Sequence, residues 1–241
     1  VAKKFGAKVF DFAWIDDFAA ARNAAFAQAT QEYIFWLDAD DVLPEEEQKK
    51  FKELKETLDP SVDSVTMPYL LSFDEYGNVS FSLRRNRLVK RERNFKWRGA
   101  VHEYLEVHGR IFHSDVAVVH HSKGGSGDRN LRIYQRRLER GEQFSPRDLY
   151  YYGNELFDHG LYAEAVPIYE RFLAEGGGWI EDNVACCGKL ADCYHHLGKK
   201  DKEIASVLRS FSYDSPRAEF CCRMGYFFLE RKEYLNSIFW Y

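Results

Sequence analysis

In the first half of the chain, segments with the hydrophobic pattern of strands alternate with segments that have the hydrophobic pattern of helices. Strand-like apolar stretches predict strands near 8–12 and at 33–37, and helical spacing predicts helices near 16–30 and 45–57. Further β structure is expected for 63–73 and 79–91, which flank a turn-forming DEYGN segment, and around 99–107 and 115–121. Because strands and helices alternate first and antiparallel strands follow, the pattern predicts a mixed α/β sheet.

The second half has a helical pattern with a weak internal repeat. Gly153 and Ala165 are twelve residues apart, as are Gly225 and Ser237, and 72 residues separate the two glycines. Two periods of 36 residues resemble tetratricopeptide repeats, which are helix pairs of about 34 residues. An ordinary helical bundle is the alternative to this interpretation.

A glycine-rich segment separates the two halves, with glycines at 124, 125 and 127, and such a cluster indicates a linker. We therefore expect an α/β domain over 1–121, a linker and connecting helix over 122–147, and helical repeats over 148–241. Stacked repeats form extended binding surfaces, so a protein partner is expected for the second domain.

Composition narrows the class of protein. An apolar content of 45% and a net charge of −4 fit a globular protein and give no indication of nucleic-acid binding. No apolar run reaches the roughly 18 residues of a membrane span, and no signal peptide is visible. The five cysteines are an odd number without C-x-x-C spacing, which predicts reduced, packed thiols in a cytoplasmic protein.

The segment YIFWLDADD, residues 33–41, ends a wholly apolar stretch in a group of aspartates. An unbroken apolar run predicts a strand buried on both faces, and ligands bind beyond the carboxyl ends of such strands. In an extended chain Asp38 and Asp40 point the same way and suit Mg²⁺ or Mn²⁺ together with a substrate diphosphate. The structural alternative is that the aspartates cap the following helix, a role that fits Asp41.

Three segments in order resemble a family 2 glycosyltransferase of the GT-A fold: Ala21-Arg22-Asn23, Asp38-Ala39-Asp40 and WRGAVHEYLE at 97–106. The resemblance implies transfer of a sugar from a nucleotide-diphosphate sugar, with UDP as the expected nucleotide, to an acceptor hydroxyl or thiol. The acceptor class, whether peptide, glycan or lipid-linked, stays open. The family's first strand and its nucleotide-holding acidic loop have no counterpart here, so we expect them before Val1.

Several residues become candidates for binding the nucleotide sugar. Arg22 is four residues from both Phe18 and Phe26 on an apolar stripe, so its guanidinium requires an anionic partner. The resemblance implies that this partner is the nucleotide or an aspartate of its site. Asn23 and Asp41 are further candidates for the nucleotide sugar, and Trp97 and Arg98 are expected to wall the acceptor pocket.

Glu103 is the candidate general base. If 100–107 is extended, Glu103 shares a face with Val101 and Leu105, and burial among them disfavours its charged form, which suits a base. His102, on the opposite face, is the alternative base. The resemblance further implies that a histidine after the last strand completes the metal site, and His120 is preferred to His121.

Two other classes of protein fit parts of the pattern. A haloacid-dehalogenase-type phosphatase would use Asp38 as nucleophile and Asp40 as acid/base, but its motif belongs on the first strand. A non-catalytic scaffold would use only the helical repeats for protein binding.

Overall fold

The computed structural model describes residues 2–121 and 127–241. The chain divides into two compact units, residues 1–127 and residues 128–241. Within the described ranges, no helix combines the length and the apolar character that crossing a membrane requires.

A mixed sheet forms the first unit. Its strands are β1 (Tyr33–Phe35), β2 (Asp41–Val42), β3 (Ser64–Phe73), β4 (Val79–Lys90), β5 (Lys96–Arg98), β6 (Tyr104–Glu106), β7 (Ile111–His113) and β8 (Val118–His120), and its helices are α1 (Phe18–Ala27) and α2 (Glu45–Thr57). Short 3-10 helices span Ala2–Phe5 and Arg91–Arg93. The strand order is β1-β4-β3-β8-β2, with β7 also beside β3, and β5 and β6 pair separately. The predicted mixed α/β sheet is confirmed, because β3 runs parallel to β7 and β8 and antiparallel to β4.

Local sequence explains the helix starts and the long hairpin. The Asp17 side chain accepts a hydrogen bond from the Ala20 amide and caps α1. In the turn between β3 and β4, Asp74 accepts hydrogen bonds from the Tyr76 and Asn78 amides. Gly77 adopts a φ of +84° there, which favours glycine.

Both faces of the sheet are covered. Successive residues of β4, Leu88 and Val89, belong to two different hydrophobic clusters, and successive side chains of a strand point to opposite faces. The Leu88 cluster includes Leu54 of α2. The Val89 cluster includes Ala19 of α1 and Trp97 of β5, so α2 covers one face, and α1 with the β5–β6 pair covers the other.

Two strand predictions were wrong. Residues 7–15 form no strand, and Val9 and Phe10 are exposed, because none of the described strands lies beside them to accept their backbone hydrogen bonds. The strand expected over 33–37 ends at Phe35 and is only partly buried. It pairs with β4 alone, which places it at an end of the strand order instead of the buried centre.

The second unit is entirely helical in its described residues. Its helices are α3 (Arg129–Glu139), α4 (Pro146–Asp158), α5 (Tyr162–Glu175), α6 (Ile180–His196), α7 (Lys200–Ser210), α8 (Ala218–Glu230) and α9 (Tyr234–Trp240). The helices α4 and α5, α6 and α7, and α8 and α9 pack as successive pairs. The first helices of these pairs begin at 146, 180 and 218, a spacing close to the tetratricopeptide period of about 34 residues. The predicted helical repeat is confirmed.

The repeated glycines lie where helices come close. A β-carbon on Gly153 would lie 2.5 Å from Cε1 of Tyr169, and one on Gly225 would lie 2.8 Å from the ring of Tyr241. The two tyrosines are 72 residues apart, as the glycines are. Only a glycine allows these rings to approach the preceding helix so closely, which explains why the residue recurs.

The expected linker falls partly outside the described residues. Positions 122–126 are not described, so the prediction for Gly124 and Gly125 is not addressed. Helix α3, which we assigned to the connection, packs against α4 and belongs to the helical unit. Cys186, Cys187 and Cys193 are free and buried, as expected for packed thiols, whereas Cys222 is free and exposed.

Candidate functional site

One arginine joins two of the predicted site residues. Arg22 of α1 contacts Asp38 through Nη1 at 2.7 Å and Glu103 through Nε at 2.6 Å. Arg22 lies in α1, whereas Asp38 follows β1 and Glu103 precedes β6, so the three residues come from separate segments. The sequence predicted an anionic partner for Arg22, and an aspartate of the candidate site is one of the two partners.

Two tryptophan rings hold this arginine. The Arg22 guanidinium carbon lies 5.0 Å from the ring centroid of Trp36 and 4.6 Å from that of Trp97, within the range of cation–π attraction. Burial by itself would lower the pKa of Arg22, but its hydrogen bond to Asp38 and the charges of both carboxylates outweigh burial and raise it. The guanidinium is therefore a fixed positive charge between Asp38 and Glu103.

Glu103 reaches the site by a different route from the one expected. Glu103 lies just before the short strand β6, and His102 has a left-handed φ of +50°, so 100–107 is not extended throughout. Val101 and Leu105 are buried on either side of Glu103, as the alternation predicted. Glu103 is not an isolated carboxylate among apolar groups, however, because it contacts the guanidinium of Arg22.

Asp38 and Asp40 do not point the same way, which corrects the prediction from strand alternation. The chain leaves the strand after Phe35 and turns at 39–40. The Asp41 amide donates to the Asp38 carbonyl at 3.0 Å, and the Asp38 amide donates to Asp41 Oδ2 at 2.9 Å. This turn directs Asp38 to Arg22 and leaves Asp40 near His120, with Nδ1 of His120 at 3.9 Å.

The side chain of Asp41 stabilises this turn from the protein interior. Its side chain is completely buried and contacts the guanidinium of Arg87 at 2.7 Å. Its Oδ1 accepts a hydrogen bond from the Tyr69 hydroxyl at 2.8 Å and lies 3.3 Å from His120 Nδ1. Burial alone would raise the pKa of Asp41, but the hydrogen bond from the Asp38 amide and the charge of Arg87 outweigh it and lower the pKa. Asp41 neither caps α2, whose N-cap residue is Pro44, nor has an oxygen exposed to a nucleotide.

Sequence analysis did not identify Arg87 and Tyr69. The Arg87 guanidinium lies between the rings of Trp36 and Tyr69, at 4.0 and 4.3 Å from their centroids. A signal was present, since Arg87 stands two residues before the buried Val89 on a strand. An arginine on a buried strand face requires an acidic partner, and Asp41 is that partner.

Asp40, Asp41 and His120 form a group whose potential ligand atoms lie within 4.8 Å of one another, the only group of at least three such residues in the described parts of the chain. The antiparallel pairing of β2 with β8 creates it, because Asp41 lies opposite His120. The Asp40 side chain is 49% exposed. His121 contributes its amide to the Asp40 carbonyl at 2.8 Å, and its side chain is not a member of the group.

Two predicted contacts with the donor or acceptor do not fit the geometry. The Asn23 amide is engaged at both ends, since it donates to the Trp97 carbonyl at 3.1 Å and accepts from the Trp97 amide at 2.9 Å. Trp97 itself is buried beneath Arg22 and cannot wall an open pocket. Arg98 is exposed and pairs with Glu106 at 3.0 Å. Asn23 and Trp97 therefore support the residues of the site from the protein interior.

A mixed sheet with an Asp-x-Asp turn at a strand end is the arrangement that the sequence resemblance implied, and comparison with known proteins agrees. The profile described as "Glycosyl transferase family 2" matches residues 1–117. The α/β unit therefore belongs to glycosyl transferase family 2 and is a glycosyltransferase domain. The phosphatase interpretation is wrong.

Two curated proteins are similar to parts of this chain. The SPbeta prophage-derived glycosyltransferase SunS of Bacillus subtilis (strain 168) is 28% identical over 155 residues, which cover 59% of this chain and 36% of that protein. A TPR repeat-containing protein of Synechococcus elongatus is 34% identical over 106 residues, which cover 44% of this chain and 25% of that protein. This chain thus spans only about a third or less of the length of these relatives.

Among solved structures, MamA AMB-1 matches with a TM-score of 0.42 and 16% identity, over 48% of this chain and 61% of that one. MamA from Desulfovibrio magneticus RS-1 matches with a TM-score of 0.23 and 17% identity, over 48% of this chain and 92% of that one.

Proposed function

We propose that the α/β unit transfers a sugar from a UDP-sugar to an acceptor hydroxyl or thiol, with inversion at the sugar carbon. The observation that carries this proposal is the Arg22 guanidinium, which contacts Asp38 on the donor side and Glu103 on the acceptor side. One fixed cation thus sets the distance between the residue expected at the sugar nucleotide and the residue expected at the acceptor. Positioning of this kind is a large part of catalysis by enzymes.

The side chains near Asp40 fit a divalent cation. A carboxylate and an imidazole nitrogen are ligands that suit Mn²⁺, and Mg²⁺ accepts the carboxylate. We assign Asp40 and His120 as the protein ligands. Asp38, originally expected as a third ligand, is paired with Arg22, and the Asp41 oxygens are already hydrogen-bonded. When bound, such a cation offsets the charge of the departing diphosphate.

Asp41 then has the role of an orienting residue. Its Oδ1 faces His120 Nδ1, and a metal-binding histidine usually makes such a contact through the nitrogen that does not bind the metal. The Tyr69 hydroxyl, 2.8 Å from the same nitrogen, fixes the ring further. This arrangement leaves His120 Nε2 as the ligand atom.

Glu103 is the general base in this proposal. A carboxylate accepts hydrogen bonds at two oxygens, so the contact of Oε1 with Arg22 leaves it capacity to receive the acceptor proton. The contact with Arg22 holds Glu103 in place before the acceptor arrives. Abstraction of the proton as the sugar carbon is attacked contributes about 10²–10⁴-fold to a rate.

The scaffold hypothesis remains as a role for the helical unit alone. Its third helix pair exposes Tyr234, Leu235, Ile238 and Phe239 of α9, which together form an apolar surface. We propose that this unit binds a protein partner, while the α/β unit performs the transfer.

Nucleotide binding tests the proposed site. Titration calorimetry of UDP in Mn²⁺ should give an affinity that chelation removes and that Asp40→Asn strongly reduces. Glu53→Gln, on an exposed position of α2, is the matched control and should bind normally. Equal Mn²⁺-dependent affinity in wild type and Asp40→Asn would show that Asp40 is not a ligand in the site. An affinity for UDP that is the same with and without Mn²⁺ would show that no cation takes part in binding.

A further inference from the structure

The β3–β4 hairpin extends beyond the rest of the sheet. Strand β1 pairs only with Leu88–Lys90 of β4, and the last pair between β3 and β8 is at Leu70. Residues 71–81 therefore form a two-stranded projection. Together with the adjoining residues 82–85 of β4, they make up what we call the arm. It leaves the sheet at the edge where β1 and β8 end, which is the edge that carries the candidate site.

One side of the arm is an open strand edge. Over 79–85, β4 pairs with β3 on one side, and no backbone hydrogen bond from a described residue reaches its other side. Hydrogen bonds to that side of β4 begin only at Asn86 and Arg87. The Trp36 indole donates to the Asn86 carbonyl, and the Trp36 amide donates to the Arg87 carbonyl. Unpaired edges of this kind are templates for another strand.

The open edge and β1 lie on the same side of β4, one after the other along that strand. Tyr33 lies opposite Lys90 and Phe35 opposite Leu88, so β1 runs along β4 toward the arm. The chain leaves that row after Trp36, where Asp38 turns to Arg22. A strand added along 79–85 would lie in line with β1, and its end would meet Asp38, which shares Arg22 with Glu103.

The surface of the arm is apolar and carries no basic group near its tip. Val79 and Phe81 are 45% and 58% exposed, and between 71 and 83 the only charged residues are Asp74 and Glu75. These acidic groups disfavour an anionic membrane or a nucleic acid. Native edges are usually protected by lysine, proline or a bulge that turns the edge away. The open edge has neither lysine nor proline over 79–85, its charged residues are Arg84 and Arg85 at the end near the sheet, and its register with β3 shifts between Val79 and Phe81.

We propose that the open edge of the arm binds an extended polypeptide segment by strand addition, with apolar side chains at alternate positions and basic side chains toward the acidic turn. Main-chain hydrogen bonds supply affinity in this mode, and alternate side chains supply specificity. As an extension of the proposed function, this segment is the acceptor, delivered along the β1 row to Glu103.

The test uses a proline that blocks the edge without disturbing the arm. Arg84 lies opposite Pro68, which has no N–H, so the Arg84 backbone faces the open side, and Ser82, two residues earlier, faces it too. Ser82→Pro therefore removes an outward donor, a position that tolerates proline. Phe81→Ser removes the largest exposed side chain of the edge, and Tyr76→Ser, in the turn and 81% exposed, is the matched control.

The probe is a displayed library of random ten-residue peptides, followed by fluorescence anisotropy with the most enriched sequence. Wild type should enrich peptides with alternating apolar residues, and Ser82→Pro should weaken the chosen peptide about tenfold or more. Phe81→Ser should weaken it severalfold, and Tyr76→Ser should leave it unchanged. Circular dichroism checks the fold of each variant, and Phe81→Ser decides the question if Ser82→Pro is misfolded.

Several results would overturn the proposal. No enrichment, or equal affinity in Ser82→Pro and Phe81→Ser, would reject the edge as a peptide site. A dimer that these variants convert to monomer in sedimentation, without any effect on peptides, would identify a second copy as the occupant. Binding to phosphatidylcholine vesicles that the variants abolish would identify a lipid. UDP binding in Mn²⁺, measured on the same proteins, separates failure of the arm from failure of the donor site.

Discussion

Asp41 and Arg87 form an ion pair at 2.7 Å with both side chains completely buried. Breaking such a pair from one side leaves an uncompensated charge away from water. We expect Asp41→Asn to lower the free energy of unfolding of the α/β unit by about 3–5 kcal/mol. Asp40→Asn, next to it but half exposed, should change this free energy by less than about 0.5 kcal/mol. Urea unfolding of the two variants measures the difference, and equal stabilities would contradict the role given to the pair.

The same pair predicts a dependence of stability on pH. The folded pKa of Asp41 is lowered, so its contribution is present above the unfolded pKa of about 3.9 and is lost as pH falls toward the folded pKa. Between these two pKa values the wild type should lose stability faster than Asp41→Asn as the pH falls. The difference between their unfolding free energies, measured from pH 6 downward in roughly half-unit steps, should therefore shrink. A difference that stays constant with pH would show that folding does not lower the pKa of Asp41.

Glu103→Gln tests the base. Glutamine keeps the size and the contact with Arg22 but accepts no proton, so transfer should fall by about 10²–10⁴-fold while donor binding persists. Single-turnover transfer at saturating donor measures this. His102→Asn is the control, because asparagine tolerates the left-handed backbone that His102 adopts. An active Glu103→Gln beside an inactive His102→Asn would assign the base to the histidine.

Gly153→Ala tests the close approach of α4 and α5. Alanine is the better helix former by about 1 kcal/mol, but its β-carbon would meet the Tyr169 ring at 2.5 Å. We expect the steric term to dominate and the helical unit to lose about 1–3 kcal/mol. Gly188→Ala is the matched variant, since its nearest atom, in Phe220, lies 3.3 Å away. Thermal unfolding should therefore rank Gly153→Ala well below Gly188→Ala, and the opposite order would contradict the packing.

Thiol alkylation tests the burial of the cysteines. Burial raises the pKa of Cys187 to about 11 and that of Cys193 to about 12, and it also raises the pKa of Cys186. The thiolate is the reactive form, so iodoacetamide at neutral pH should modify Cys222 first and Cys221 more slowly. Peptide mass spectrometry should find the three cysteines of α6 unmodified until the protein unfolds. Rapid labelling of Cys186 in the native protein would contradict the packing of α6.

The sequence by itself determined the local elements and the need of Arg22 for an anionic partner. The charged helix at 45–57 and the β3–β4 hairpin were predicted because their periodicity and turn residues lie within short segments. The 72-residue repeat of Gly153 and Gly225 was predictable for the same reason, since each glycine serves a contact inside its own helix pair. Arg22 was found because a guanidinium on an apolar helix stripe requires an anion whatever the fold.

Only the tertiary structure decided where the aspartates point. Strand alternation placed Asp38 and Asp40 together, but the chain turns after Leu37, and contacts with Arg22, Arg87 and His120 from distant segments determine the turn. Those contacts join residues up to about eighty positions apart, and no local pattern encodes which distant side chain will be opposite. The place of β1 at the end of the strand order, and hence the open row beside the arm, was likewise set by pairing between strands and not by any property of the strand itself.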